Sequence, residues 1–431
     1  MYIKLPQFGY LTSNIEEYTR LAFERGADPS DAVKDAEKAL IDALDILRDL
    51  PPSKENLARQ PSDYEAILSL RPNSPRWLWH EFDEPVYLDK LEGALLGRMA
   101  GCTLGAPVEF WDIERMEKWA VHIGDAFPNT DYWSAVPEPY NTRYIVGRNS
   151  DYTRSGMDGV PVDDDVVYTL LGLLIAEEYG LDFTTADVGA AWLKYLPMAC
   201  TAEDVALKAL KNGVPADRTA VEDNPFMHWI GADIRADPFG YMAPGNLELA
   251  ARMAYRDAYL SHRQNGIYGE MYFAAVIAAA FAVNTAMEAL KLGLNEIPRE
   301  CDLARDIKWA LNASYNIHDY KAARSAVDKR FEGMSGVHTN NNACLTVFGL
   351  AIGDGDFSKS ISETVAMGLD NDCNAATVGS IAGAIAGVKG IAKHWTRPFN
   401  NKVRSYFHGY PDFQIDDLIK RFTAQAKNSF R

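Results

Sequence analysis

Positive charge is in short supply in this 431-residue chain: 43 Lys and Arg stand against 60 Asp and Glu, a formal net charge of −17. A field of that sign repels phosphate backbones and anionic lipid, which argues against a general nucleic-acid or membrane-surface binder. Cysteine is sparse too. Cys102, Cys200, Cys301, Cys344 and Cys373 are odd in number and scattered, with no C-x-x-C or C-x-x-H spacing, so neither a disulfide framework nor a structural zinc site is expected. Long apolar runs are missing. The most apolar one, from Met271 to Met287, contains Asn284 and Thr285 and is shorter than the roughly 20 residues of a spanning helix, so it reads as a buried core helix. The start, MYIKLPQFGYLTSNIEEY, carries acids early and no apolar stretch before a small-residue cleavage site, and the expected location is cytoplasmic. No repeat of 20 to 50 residues and no low-complexity tract is visible.

What remains is an ordinary globular balance, 47% apolar and 24% charged. The length allows two to three domains, or one large body with an appendage. From Ile15 to about Leu50, apolar residues recur at three- and four-residue intervals, with Asp28 or Ser30 as a cap for the second of two helices. A polar, proline-bearing stretch from Pro51 to about Pro75 follows. Residues 1–85 therefore read as a helical N-terminal extension, and 86–431 as one larger body. In that body, long Ala, Leu and Gly segments have helical spacing and no series of alternating β-branched strands stands out, so the expected class is all-α. The segment from Met116 to Asp158, rich in Pro, Tyr, Trp and Asn, reads as a long, partly irregular surface excursion of the kind that carries function.

Two acidic clusters open apolar helices. Asp163-Asp164-Asp165 precedes VVYTLLGLLIAEEYG, and three adjacent carboxylates repel by about 1 kcal/mol per pair at 4 Å even in water. One Asp could simply cap the helix while the others use its dipole; the apolarity of the helix instead draws this end inward. Asp370-Asn371-Asp372-Cys373-Asn374 precedes AATVGSIAGAIAGV, where Gly379, Gly383 and Gly387 share one helix face and invite a second backbone close. A lone D-x-D is unspecific and can be a solvated cap. Taken with the first cluster, and with no His or Cys pair nearby, it suits a hard cation: magnesium, manganese or calcium. A third segment, LEGALLGRMAGCTLGAPVEF, spaces glycines at 93, 97, 101 and 105 and ends at Glu109. Two more, IGADIRADPFG with Gly231 and Arg235 and SHRQNGIYGE with His262, combine polar groups with permissive glycines; each suits phosphate or ribose, or plain structure.

In order, these motifs are G-x-x-x-G-x-x-x-G-A-P-V-E-F, an acidic helix start, G-x-x-x-R-x-x-P-x-G, S-H, and G-x-D-x-D-x-N-A-A-x-x-G-x-x-A-G-A. The set resembles the ADP-ribosylglycohydrolase family from about Tyr87 to Lys393. The resemblance implies an all-helical fold with two divalent cations, magnesium or manganese, held between the two acidic motifs. Carried over residue by residue, it implies metal ligands at Asp164, Asp165, Asp370 and Asp372, the first two also catalytic, and Asp163, where the family's T-D-D-T has its first Thr, remains an oxygen ligand and adds charge. Glu109 matches an acid that reaches the metal centre in some members and is the candidate for proton transfer. Gly231, Arg235 and His262 match segments that line the ADP-ribose pocket. The loop from Gly333 to Asn342, with Gly336, precedes a helix and is a candidate phosphate site.

Four further departures bear on the site: Val166 replaces the second Thr, Cys373 a Thr, Cys102 an Asp and Ile230 an Asn. A soft thiol among hard oxygens either stays protonated and unligated or changes the metal preference. The implied activity is hydrolysis of a glycosidic bond to ribose in an ADP-ribosylated protein or a small ADP-ribose compound. The alternatives are a hydrolase of another ribosyl or nucleotide substrate, and a non-catalytic binding or structural protein that keeps the fold.

Overall fold

The computed structural model describes residues 2–430, and among these twenty α-helices dominate, in agreement with the all-α expectation. No helix among them is long and apolar enough to cross a membrane. The chain divides into two compact units. One runs to Ala58 and takes in Phe331–Gly333; the other comprises Arg59–Arg330 and Met334 onward.

In the first unit, α1 (Phe8–Glu24) and α2 (Ser30–Arg48) bury no residue. Asp28 serves the start of α2 as its composition suggests, accepting from the Ser30 amide at 3.0 Å. The second unit begins well before residue 86. Gln60 donates to Asp302 at 3.0 Å, the Tyr255 hydroxyl donates to the Ser62 carbonyl at 3.0 Å, and Trp77 bridges to Asn246. The polar, Pro-bearing stretch is thus largely part of the main body, held by polar contacts that hydrophobic periodicity does not register.

At the centre lie α3 (Glu84–Gly105), α4 (Asp164–Tyr179), α6 (Asn265–Ala280), α7 (Thr339–Gly353) and α8 (Asn371–Ala386), with the half-exposed α5 (Thr201–Lys211) beside them. All sixteen residues of α6 are buried, so the apolar run at 271–280 is a core helix, and it ends before Asn284. The glycine stripes of α3 and α8 prove to be each other's partners. A Cβ at Gly97 would lie 2.2 Å from the Gly379 carbonyl oxygen, one at Gly101 1.9 Å from that of Ala375, and one at Gly105 2.4 Å from Asp372 Cα. Backbone contact this close brings the C-terminal end of α3 against the acidic start of α8.

Strands are present after all, as two short antiparallel hairpins: β1 (Thr142–Arg143) with β2 (Gly147–Arg148), and β3 (Lys402–Phe407) with β4 (Tyr410–Gln414). The first lies inside the Met116–Asp158 segment, which is not a purely surface excursion. Tyr132, Trp133 and Tyr152 are buried there, and the Trp133 indole donates to the Leu104 carbonyl at 3.1 Å. Large aromatics with polar handles let an irregular backbone pack inward.

Candidate metal centre and cavity

The acids converge because three chain segments end at one point. Asp163 caps α4, its carboxylate accepting from the Asp165 amide at 3.2 Å. Asp370 sits at the N-cap of α8 with no capping bond of its own, which leaves its side chain free for another task. Glu109 follows α3 and is held beside Asp370 by the Phe110 amide, which donates to the Leu369 carbonyl at 3.0 Å. Phe110 and Leu369 both have φ of 60°, a left-handed conformation costly for residues with a Cβ and typical of functional sites.

Glu109, Asp370 and Asp372 each offer an oxygen within 4.8 Å of the others, and Asp163 and Asp165 do the same with the Cys102 sulfur. Among the described residues, the buried Asp165 Oδ1 and Asp372 Oδ1 accept no hydrogen bond, with Arg98 Nη2 standing 3.7 Å from the former. Burial, then the neighbouring acids, hold Asp165 and Asp370 well above the usual carboxylate range. Asp372 is raised in the same way, with Arg143 pulling against it. Burial also lifts Glu109, less strongly, with Arg143 opposing. Asp163 is pushed up to about 7, chiefly by burial. Clustered, buried, donor-poor oxygens fit divalent cations of the hard class. The Cys373 thiol, raised well above its ordinary value by burial, favours its protonated form.

Two arginines complete the centre, and neither stood out in the sequence. Arg98, the only charged residue from Gly93 to Val108, is fully buried. Its Nε donates to the Asp165 carbonyl at 3.0 Å, Nη1 to Asp237 at 2.7 Å and Nη2 to the Ile234 carbonyl at 2.7 Å, so α3 fixes the start of α4. An isolated charge in a Gly, Ala and Leu helix was the available signal. Arg143, on β1, places Nη2 2.8 Å from Glu109 Oε2, 3.0 Å from Asp372 Oδ2 and 3.1 Å from Asp163 Oδ2. Beside it the Tyr144 hydroxyl donates to Asp164 at 2.6 Å. Nothing local marks Arg143 over Arg148 or Arg154 as the one that turns inward.

A cavity of about 220 Å³ opens above these groups. Glu109, Asp164, Asp165, Asp370, Cys373 and Gly231 line it, with Phe110, Tyr144, Tyr168, Trp229, Ile230 and Val337 as its apolar wall. Asp164 and Asp370, 206 positions apart in sequence, therefore share one cavity. Arg235 and His262 are not among its lining residues. Arg235 is instead enclosed: Glu203 accepts at 2.5 Å and Glu270 at 3.3 Å, while Asp257 pairs with its Nε. The buried His262 ring meets the Ser261 hydroxyl at 2.8 Å. Both sit behind the wall: Asp257 and Glu270 hold the guanidinium from the core side, and Glu203 links it to the cavity lining. Gly336 also lies outside the lining, but its carbonyl accepts from Asn342 at 2.8 Å; the Asn342 side-chain oxygen in turn receives Asn374 at 2.8 Å and the Asp370 amide at 3.3 Å. That loop is thereby tied to the start of α8.

Comparison with known proteins agrees with this architecture. No curated protein matches the sequence. A solved structure described as an ADP-ribosylglycohydrolase-related protein complex matches with a TM-score of 0.50 at 19% identity, covering 80% of this chain and 99% of that one, a likeness of fold. The family model described as ADP-ribosylglycohydrolase matches residues 83–428. By that match the chain belongs to the ADP-ribosylglycohydrolase family.

Proposed function

We propose that this protein is a divalent-metal-dependent hydrolase that cleaves a glycosidic bond to ribose in an ADP-ribosylated protein or a related ADP-ribose compound. The observation that carries the reading is the meeting of two acidic helix starts, Asp163–Asp165 and Asp370–Asp372, at one cavity with Glu109 beside them. Asp163, Asp164, Asp165, Asp370 and Asp372 are the residues that would hold two cations, magnesium or manganese. Such ions, when bound, supply an acidified water and a hold on ribose hydroxyls.

The chain's own groups do the rest. Glu109, biased toward its protonated form by burial, is placed to pass a proton to the departing group of an oxocarbenium-like transition state. Phe110, Tyr168 and Trp229 line the cavity beside that centre. Backbone near Gly231, and the loop of Gly336 through its lining residue Val337, are the candidates for meeting phosphate, since helix starts favour anions.

The test combines calorimetric titration of magnesium and manganese with a hydrolysis screen over ADP-ribosylated Arg, ADP-ribosylated Ser, nucleic-acid ends and free ADP-ribose derivatives. The parent is expected to bind metal and release ADP-ribose from one of these. Asp370→Ala with Asp372→Ala is expected to lose both metal binding and turnover, by about 100-fold or more. A folded parent that binds neither metal overturns the reading in favour of a non-catalytic protein that keeps the fold.

A further inference from the structure

We propose that the Arg143 guanidinium is a tethered cation filling one of the two cation positions of the acidic centre, so that the protein takes one divalent ion readily and a second only when the β1–β2 hairpin withdraws Arg143. The inference rests on the metal-dependent reading and adds to it a residue that sets how many ions bind.

The first observation is the way Arg143 is held. A single terminal nitrogen, Nη2, meets Glu109 at 2.8 Å, Asp372 at 3.0 Å and Asp163 at 3.1 Å. That nitrogen has two hydrogens for three carboxylates from three separate elements. It hydrogen-bonds Asp163 and Asp372, with the Tyr144 hydroxyl at 3.4 Å, so the third carboxylate, Glu109, is gathered by charge.

The second is the contrast with the fully buried Arg98 and Arg235; Arg143 itself is half-buried. Arg98 and Arg235 each have Nε, Nη1 and Nη2 all engaged, as a structural guanidinium in a closed socket should. Arg143 Nε is buried and no acceptor reaches it among the described residues. Apart from the Tyr144 and Tyr152 ring faces, 4.9 and 5.6 Å from the guanidinium carbon, its contacts are made by Nη2, which points into the acids.

The third is the carrier. Two-residue strands hold Arg143, and the turn beyond it has Tyr144 at φ 48° and Ile145 at φ 69°. Ile145 and Val146 at the tip are 64% and 58% exposed. Burial opposes withdrawal at Tyr144, which packs 5.9 Å from the Tyr406 ring, and not at the exposed tip. Its other link to the acids is the Tyr144 hydroxyl on Asp164. Asp163 and Asp372 are expected ligands, so a second ion must compete with Arg143 for the same oxygens.

Titration of manganese into the full chain, followed by the electron paramagnetic resonance of free Mn²⁺, counts the sites directly. The parent is expected to bind one Mn²⁺ with a second at least about tenfold weaker. Arg143→Gln is expected to bind two with similar affinity, and Arg143→Lys, which keeps the charge, to behave like the parent. In chelator, Arg143→Gln should melt below the parent, and Mn²⁺ should close that gap. Tyr144→Phe removes only the second link and should tighten the weaker site several-fold, which decides the matter if Arg143→Gln does not fold. A parent with two equal sites, unchanged in Arg143→Gln and Tyr144→Phe, overturns the inference and leaves the metal-dependent reading standing. Loss of all Mn²⁺ binding in a folded Arg143→Gln also overturns it, since Arg143 would then be arranging ligands instead of taking a cation's place. A folded parent that binds no Mn²⁺ removes the metal-dependent reading itself.

Discussion

Glu203, which lines the cavity, shows how one residue links pocket to core. It is 2% exposed, and burial pushes its carboxyl from an ordinary 4.5 up to about 7 despite the Arg235 guanidinium at 2.5 Å. Asp257, Glu270 and Asp233, raised by burial too, surround the same positive charge. A carboxyl raised by folding binds its proton more tightly in the native state, so its stabilising effect is complete below about 4.5 and is lost as pH rises through about 7. The protein should therefore lose stability between pH 5 and pH 8, and Glu203→Gln should lose less, by roughly 3 kcal/mol at most. His338, lowered to about 3 by burial, contributes with the opposite sign but equally in both proteins. Denaturant melts of both at the two pH values check this; parallel curves refute it. The acids at 163–165 and 370–372 were legible because a charge cluster before an apolar run is an anomaly in itself. Arg143 was not, since its direction depends on a hairpin whose turn has no strong sequence signal.

Helix α3 and helix α8 carry the clearest agreement between pattern and structure, and also its limit. Glycines at a spacing of four announced close packing on each helix separately; that the two stripes meet depends on the rest of the fold. Gly101→Ala, with its Cβ 1.9 Å from a backbone oxygen, is expected to cost about 3 kcal/mol or more. Gly105→Ala drives against Asp372 Cα and is expected to weaken Mn²⁺ binding at least about tenfold, out of proportion to its loss of stability. Gly9→Ala, which has open space around it, is the control. Thermal melts and Mn²⁺ titration of the three variants separate these outcomes; equal affinity in Gly105→Ala and parent refutes the second. The hairpin β1–β2 was not legible because strands of two residues offer no alternation to read.

Over the whole molecule, Glu109, Asp163–Asp165 and Asp370–Asp372 come from distant thirds of the chain and meet only in the native state. A ligand that binds the native state alone stabilises it by about 2.7 kcal/mol at a hundredfold excess over its Kd. Millimolar Mn²⁺ should thus raise the melting temperature of chelator-treated protein, and Asp370→Ala with Asp372→Ala should show no rise. A parent whose melting temperature ignores Mn²⁺ contradicts this. Class and family span were readable from periodicity and motif order, since both follow from local spacing. The edge of the main body was not. It begins at Arg59, whereas the family match starts at 83, because the intervening residues are held by contacts far away in sequence.

The interlocked glycines of α3 and α8 leave the two helices no gradual way to slide. Each notch is four residues long, so the next resting place along the axis is about 6 Å away. A slip of one notch would carry Asp372 out of reach of Asp163 and Asp165 altogether. The spacing of the two acidic clusters is therefore indexed like a ratchet: heat or a distant mutation can break it, but cannot fine-tune it.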